Sequence, residues 1–241
     1  MKELLQEALY NIYPARMATT FGPVKAVLFD MDGVLYDSMP GHALAWKQMC
    51  DSVGIVADAN EFFAYEGRTG ASTINLLFER QYGHGADEET CRRLYEIKSR
   101  NFKALGEPRI MPGARETVAA VTRSGVQCVL VTGSGQASIL ERLDRDYNGA
   151  FKLRVTAHDV KRGKPDPEPF LLAMKKANVK PYEAIAIDNA PLGVESASRA
   201  GAFTIGVRTG PLPSGALREA GADIEVGSMA ECAELLSMMK L

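Results

Sequence analysis

Short apolar runs that stop abruptly at polar residues alternate with longer stretches of helical period through most of this chain. The first run leads from Val24 through Val27, Leu28 and Phe29 to Asp30, which predicts a buried strand at about 24–30. From Met111 the alternation is regular. PGARETVAAVTRSG carries Pro112 near its start and Gly125 at its end, as a helix does. VQCVLV (126–131) is a continuous apolar strand, and QASILERLDRDY is the next helix. LRVTA, AIAI (184–187), AFTIGV and ADIEV read as further strands. Helices at PFLLAMKKANV, PLGVESASRAG and around MAECAELLSMM separate and close them. Strands this short and apolar, alternating with helices, imply right-handed crossover units and a parallel sheet covered on both faces.

Between Pro40 and about Leu105 the pattern is different. GHALAWKQMCDSVG, EFFAYEG, ASTINLLFERQYG and DEETCRRLYEIKSRNFKAL all have helical period, broken by glycines. Leu44, Met49 and Val53 give the first its apolar stripe, and Leu94, Ile97 and Phe102 give the last its own. Residues 2–12, with Leu4, Leu5, Ala8 and Leu9 on one face, suit an amphipathic helix that Pro14 ends. The expected organisation is an N-terminal helical extension at 1–22, an α/β core at 23–39 and 106–241, and an all-helical insert at 40–105.

The polar breaks carry the candidate chemistry. Asp30, Thr132 and Asp188-Asn189 each follow an apolar strand, and in an open parallel sheet those strand ends share the edge where ligands bind. Asp30 and Asp32 stand two residues apart, so extended backbone would project both carboxylates to one side. Gly33 lets the chain leave the strand with unusual dihedrals. The set suits phosphoryl transfer. Asp30 would be the nucleophile, and Asp32 would protonate the leaving oxygen and then activate water. Thr132 offers a hydroxyl, and the amides of Gly133 and Ser134 would open a helix as an anion site. Lys164, in the proline-rich GKPDPEP, would neutralise the transferring group. Asp188 and Asn189 would complete a magnesium site with Asp30 and a backbone carbonyl near Asp32. Taken singly, each motif is equally an acidic turn, a strand-to-helix turn or a helix cap.

Composition narrows the classes. The 241 residues are 46% hydrophobic, enough for a sizeable core. A net charge of −2, from 28 basic and 30 acidic residues, leaves no footprint for nucleic acid or an anionic membrane. Cys50, Cys91, Cys128 and Cys232 are widely spaced, which suits reduced thiols better than disulfides or zinc. No stretch suggests a membrane span or a secretory signal, so a cytoplasmic, monomeric protein with a small-molecule partner is expected.

The ordered motifs DMDGVLYDS, VTGS, GKPDPEPF and IDNAPLGVESASRAG resemble the haloacid dehalogenase (HAD) superfamily over about Val24 to Val226. The resemblance is to the branch with a helical cap after the first motif, which includes β-phosphoglucomutases, small-molecule phosphatases and HAD-type inorganic pyrophosphatases. It implies a Rossmann-like core, Mg²⁺ dependence and an aspartyl-phosphate on Asp30, with Asp32, Thr132 and Lys164 in the roles given above. Two departures from the sugar-mutase pattern shape the substrate expectation. Asn189 stands where relatives commonly have an acid, as in the pyrophosphatase branch. In the cap loop, Glu66 and Gly70 stand where mutases usually have Lys and Arg to hold a distal phosphate, with Arg68 shifted by two. After the second motif, Gly135 and Gln136 replace the mutases' Lys and Asn. Glu66 and Arg68 are therefore candidate substrate-binding residues, although Glu66 would equally suit a surface ion pair with Arg68 or Arg80. His42 suits packing near the hinge as well as catalysis. The expected function is a Mg²⁺-dependent phosphohydrolase with pyrophosphate as the first substrate. β-Phosphoglucomutase is the alternative, and a non-catalytic phosphate-binding protein a remote one.

Overall fold

The computed structural model describes residues 23–134 and 137–239. The helix expected at 2–12 and the extension at 1–22 lie outside the described residues, as do Gly135 and Gln136. In chain order the strands are β1 (Ala26–Phe29), β2 (Tyr36–Asp37), β3 (Arg109–Ile110), β4 (Gln127–Val131), β5 (Leu153–Val155), β6 (Ala184–Asp188), β7 (Phe203–Val207) and β8 (Ile224–Val226). The helices are α1 (Met39–Ser52), α2 (Glu61–Ala64), α3 (Gly70–Tyr82), α4 (Glu88–Ala104), α5 (Ala114–Arg123), α6 (Ala137–Asp146), α7 (Glu168–Ala177), α8 (Pro191–Arg199), α9 (Ala216–Glu219) and α10 (Met229–Met238). Six strands form one parallel sheet in the order β5-β4-β1-β6-β7-β8. This is the Rossmann-like α/β core with an inserted helical cap that the hydrophobic pattern and the motifs predict.

Alternation within the strands decides the two faces. Val27 and Phe29 join Leu130, Ile185, Ile187 and Phe203 on a bulky face, covered by Val118 and Val121 of α5 and Leu235 of α10. Ala26 and Leu28 turn the other way, with Ala184 and Ala186, against Phe170, Ala173 and Ala177 of α7 and Ala197 of α8. The alanines on that face let helices and sheet approach closely. The cap has its own core, in which Trp46, Met49, Phe62, Ile74, Leu77 and Leu94 are buried together.

Two features escape the hydrophobic pattern. The linkers between core and cap pair as a two-residue antiparallel ladder, Tyr36 opposite Ile110 and Asp37 opposite Arg109. Arg142 fastens that ladder to α6: it lies over the Tyr36 ring and donates to the Pro108 carbonyl at 2.6 Å. The stripe of α1 also differs from expectation, since Leu44 is exposed while Met39, His42, Ala43, Trp46, Met49 and Cys50 are buried. Those positions keep the three-and-four spacing of one helix face. Leu44 sits about 100° round the helix from Ala43 and looks outward.

Phe151 fixes the bulky face. It is fully buried and meets Phe29 and Tyr147 edge-to-face at 5.5 and 5.6 Å. Phe151→Ala is expected to destabilise the protein by about 3–5 kcal/mol, through lost burial and the cavity left behind. Denaturant unfolding should show a lower midpoint at unchanged slope.

Candidate active site

The strand order reverses at β1, so the crevice between the ends of β1 and β6 is the topological switch point. Phe29 pairs with Ile187 in register, and the Asp30 amide donates to the Ile187 carbonyl at 2.9 Å. Asp30 therefore emerges beside Asp188, the last residue of β6. Lys164, from the loop between β5 and α7, lies between them. Its Nζ donates to Asp30 Oδ1 at 2.6 Å and to Asp188 Oδ2 at 2.7 Å, and all three residues are buried. Burial alone would lower the Lys164 pKa, but Asp188 and Asp30 outweigh it and hold the amine charged. Burial, with Asp188 and Asp32 nearby, pushes Asp30 up to about 8 despite Lys164.

Asp32 has different surroundings. Its Oδ1 accepts from Ser38 Oγ at 2.5 Å and contacts His42 Nε2 at 3.0 Å. Lys98 Nζ meets the other ring nitrogen of His42 at 2.6 Å. An ammonium only donates, so Nδ1 accepts and the Nε2–H is left to donate to Asp32. Burial would raise the Asp32 pKa, but His42, Ser38 and Lys98 together bring it down to about 2. Burial lowers Lys98 itself to about 8. Lys98 was not among the residues read from the sequence. Its signal was present: it is the polar member of the buried stripe Leu94, Lys98, Phe102 on α4. His42, for which packing and chemistry were both open, stacks on Phe102 at 3.9 Å and also touches Asp32.

Thr132 follows β4 and is buried, and its Oγ1 accepts the Ser134 amide at 3.0 Å. Gly133 and Ser134 follow it in the loop after β4. Gly33 has φ +81° and packs directly against Asn189, where a β-carbon would lie 2.0 Å from Asn189 Nδ2. Only glycine meets both conditions.

The cap closes this edge. Glu66 reaches across to accept a hydrogen bond from Asn189 Nδ2 at 3.0 Å, rather than forming a surface ion pair. Arg80 instead holds Glu61, and Arg68 donates to Ser72 Oγ at 3.0 Å. Arg68 Nε is buried without a hydrogen-bond partner among the described residues. Core and cap enclose a cavity of about 60 Å³, lined by Asp30, Asp32 and Thr132 below and by Trp46, Tyr65, Glu66, Arg68, Tyr95 and Lys98 above.

Among the described residues no three His, Cys, Asp or Glu side chains are arranged to hold a metal. The donor set nevertheless fits a hard cation. Asn189 Oδ1 is buried beside Asp188 and has no hydrogen-bond partner among the described residues. Asp30, Asp32, Glu66 and Asp188 outnumber Lys164, Lys98 and Arg68, four acids to three bases around one crevice. Asp30, Asp188 and Asn189 Oδ1 are the side-chain oxygens that would hold Mg²⁺. The Asp32 side chain is already engaged, which leaves its main-chain carbonyl for that role.

A profile for haloacid dehalogenase-like hydrolases matches residues 24–201. The chain belongs to that family. The hydrolase is 34% identical over 201 residues to a phosphorylated carbohydrates phosphatase of Thermotoga maritima, covering 83% of this chain and 92% of the relative. It is 30% identical over 193 residues to the β-phosphoglucomutase of Bacillus subtilis, covering 78% and 84%. A solved structure from Bacteroides vulgatus, described as a candidate β-phosphoglucomutase, superposes with a TM-score of 0.91 at 43% identity over 99% of each chain. These likenesses support the β-phosphoglucomutase-like branch, and none of the three singles out a pyrophosphatase.

If Asp30 is the nucleophile, Asp30→Asn should lower kcat by roughly a thousandfold or more, while circular dichroism and Tm stay native-like. Near-wild-type turnover by the folded variant would exclude a covalent route through Asp30.

Proposed function

We propose that this hydrolase is a Mg²⁺-dependent phosphatase of a small phosphorylated carbohydrate, working through an aspartyl-phosphate on Asp30. A carboxylate oxygen of Asp30 attacks phosphorus as the phosphorus–oxygen bond to the sugar breaks, and Asp32 delivers a proton to the leaving sugar oxygen. The same Asp32 then takes a proton from the water that cleaves the acyl phosphate. The Thr132 hydroxyl and Lys164 Nζ hold the phosphoryl oxygens. Bound Mg²⁺ would offset the charge that gathers on phosphorus and would keep Asp30 ionised.

The observation that carries the hydrolase reading is the filled distal side of the cap. A side chain at Gly70 would meet the Tyr95 ring at 2.2 Å, so the position where mutases carry a phosphate-gripping Arg is sealed by an aromatic. Glu66, where they carry Lys, is turned onto Asn189. A mutase must hold both ends of a bisphosphate, and this cap offers one half-buried guanidinium, Arg68, for the second end. The named relatives support a phosphorylated carbohydrate as the substrate class and favour β-phosphoglucomutase over pyrophosphate, which the Asp188-Asn189 and Glu66 pattern had put first. β-Phosphoglucomutase remains a second reading. It is favoured by the Bacteroides vulgatus likeness and by the buried, unpartnered Arg68 Nε, which suits an anionic oxygen.

Turnover with Mg²⁺ should be compared on hexose monophosphates, β-glucose 1-phosphate, hexitol phosphates and pyrophosphate. Phosphate release from a sugar or polyol phosphate is expected at a kcat/KM well above that for pyrophosphate. Conversion of β-glucose 1-phosphate to the 6-phosphate should be slower than its hydrolysis. Isomerisation outrunning phosphate release would replace the proposal with the mutase, and dominant pyrophosphate cleavage would replace the substrate class. EDTA should abolish turnover and excess Mg²⁺ restore it, since only a hard cation suits this oxygen set. Activity that survives exhaustive chelation would contradict the metal assignment.

A further inference from the structure

Asn189 presents a chemical problem that Glu66 solves. A side-chain amide has two ends of nearly equal size and opposite polarity, and only the oxygen end binds a cation. A carboxylate at this position would present oxygen whichever way it turned. An amide rotated by half a turn would instead aim an NH₂ group at the metal. Asn189 is 2% exposed, and its two ends are used unequally: Nδ2 donates to Glu66 Oε1 at 3.0 Å, while Oδ1 is buried with no partner among the described residues. Gly33 packs against the same amide and brings no side-chain donor or acceptor of its own. A carboxylate can only accept, so in the bond seen here, from Nδ2 to Oε1, an ionised Glu66 selects the NH₂ end.

We propose that Glu66 is a positioning residue for the metal site: it fixes the Asn189 amide so that Oδ1 is the end left to bind the cation, and it does so only when the cap is shut. Glu66 lies in the cap loop between α2 and α3, and Asn189 lies in the core after β6, so the bond crosses the boundary that opening must break. Cap closure and cation affinity are thereby linked, and by reciprocity a bound cation favours the shut cap. The pairing also accounts for two departures from the family pattern as one device. An amide among the metal ligands needs an acceptor to orient it, and the acid in the cap loop is that acceptor. With an aspartate at 189 the same acid would meet a like charge.

The inference rests on the metal-dependent reading and is independent of which phosphate ester is cleaved. Its test is the Mg²⁺ dissociation constant by calorimetry, with inorganic phosphate present to occupy the pocket and no substrate turned over. Glu66→Ala is expected to weaken Mg²⁺ by roughly tenfold to a hundredfold, as loss of an orienting partner commonly does. Glu66→Gln, whose amide can turn either end to Asn189, should recover only part of that loss. The deciding measurement repeats Glu66→Ala in an Asn189→Asp background, where a carboxylate needs no orientation. There it should cause no loss of Mg²⁺ affinity, whereas a merely structural role would weaken both backgrounds alike. Unchanged Mg²⁺ binding in Glu66→Ala, equal losses in both backgrounds, or no Mg²⁺ binding by the wild-type protein would each overturn the proposal. A sugar phosphate failing as substrate would leave these outcomes untouched.

Discussion

The buried bridge of Lys164 between Asp30 and Asp188 is the interaction on which the rest of the site depends. Two carboxylates at the ends of adjacent parallel strands would repel each other in a place with little water to screen them. One ammonium cancels one of the two charges and satisfies an oxygen on each. What remains is an excess of negative charge, and it explains why the neighbours are as they are. Asn189 follows with an amide rather than another acid. The loop after Asp30 brings Gly33, with no side chain, against that amide. The basic residues of the crevice are few: Lys164 is held by Asp30 and Asp188, Lys98 meets His42 and Arg68 donates to Ser72.

Asp30 and Asp32 are two residues apart, yet their environments drive them in opposite directions. Burial beside Asp188 pushes Asp30 up to about 8, while His42, Ser38 and Lys98 hold Asp32 near 2. Carboxyl pairs pushed apart in this way divide the labour of acid and nucleophile. The proposed reaction needs Asp30 ionised and Asp32 protonated, so a divalent cation held by Asp30 would favour its carboxylate, and a phosphate dianion near Asp32 would favour its protonated form.

The fold was legible because period and punctuation agree. Val27 to Phe29, Cys128 to Val131 and Ile185 to Ile187 are apolar on both faces, and only a parallel sheet covered on both sides needs that. Asp30, Thr132 and Asp188 were visible because each interrupts such a run at a strand end. Lys98 was not, because a single lysine in a charged helix resembles a solvated one. Only the burial of Leu94 and Phe102 on either side of it along one face marks it. Leu44 misled for the opposite reason: an apolar residue counted into a stripe turned out one position off it. The β2–β3 ladder, with two residues on each side, is too short to leave any period. Glu66 could be weighed only as a charge. Its partner lies 123 positions away, and that pairing exists only in the folded, closed molecule.

Cap and core divide specificity along the same line as charge. The core edge presents acids, one lysine and a hydroxyl, a set that suits a phosphoryl group. The cap contributes Trp46, stacked on Phe62 at 5.8 Å, and Tyr95, beside the polar side chains of Glu66, Arg68 and Lys98. Aromatic faces suit the apolar C–H face of a compact sugar or polyol better than a second highly charged group. Arg68 and Lys98 are the cap cations that line the crevice, and Lys98 is committed to His42. On the proposed reading, a ligand carrying one phosphate would place it below and its carbon skeleton above, whereas a ligand carrying two would leave the second dianion to Arg68 alone.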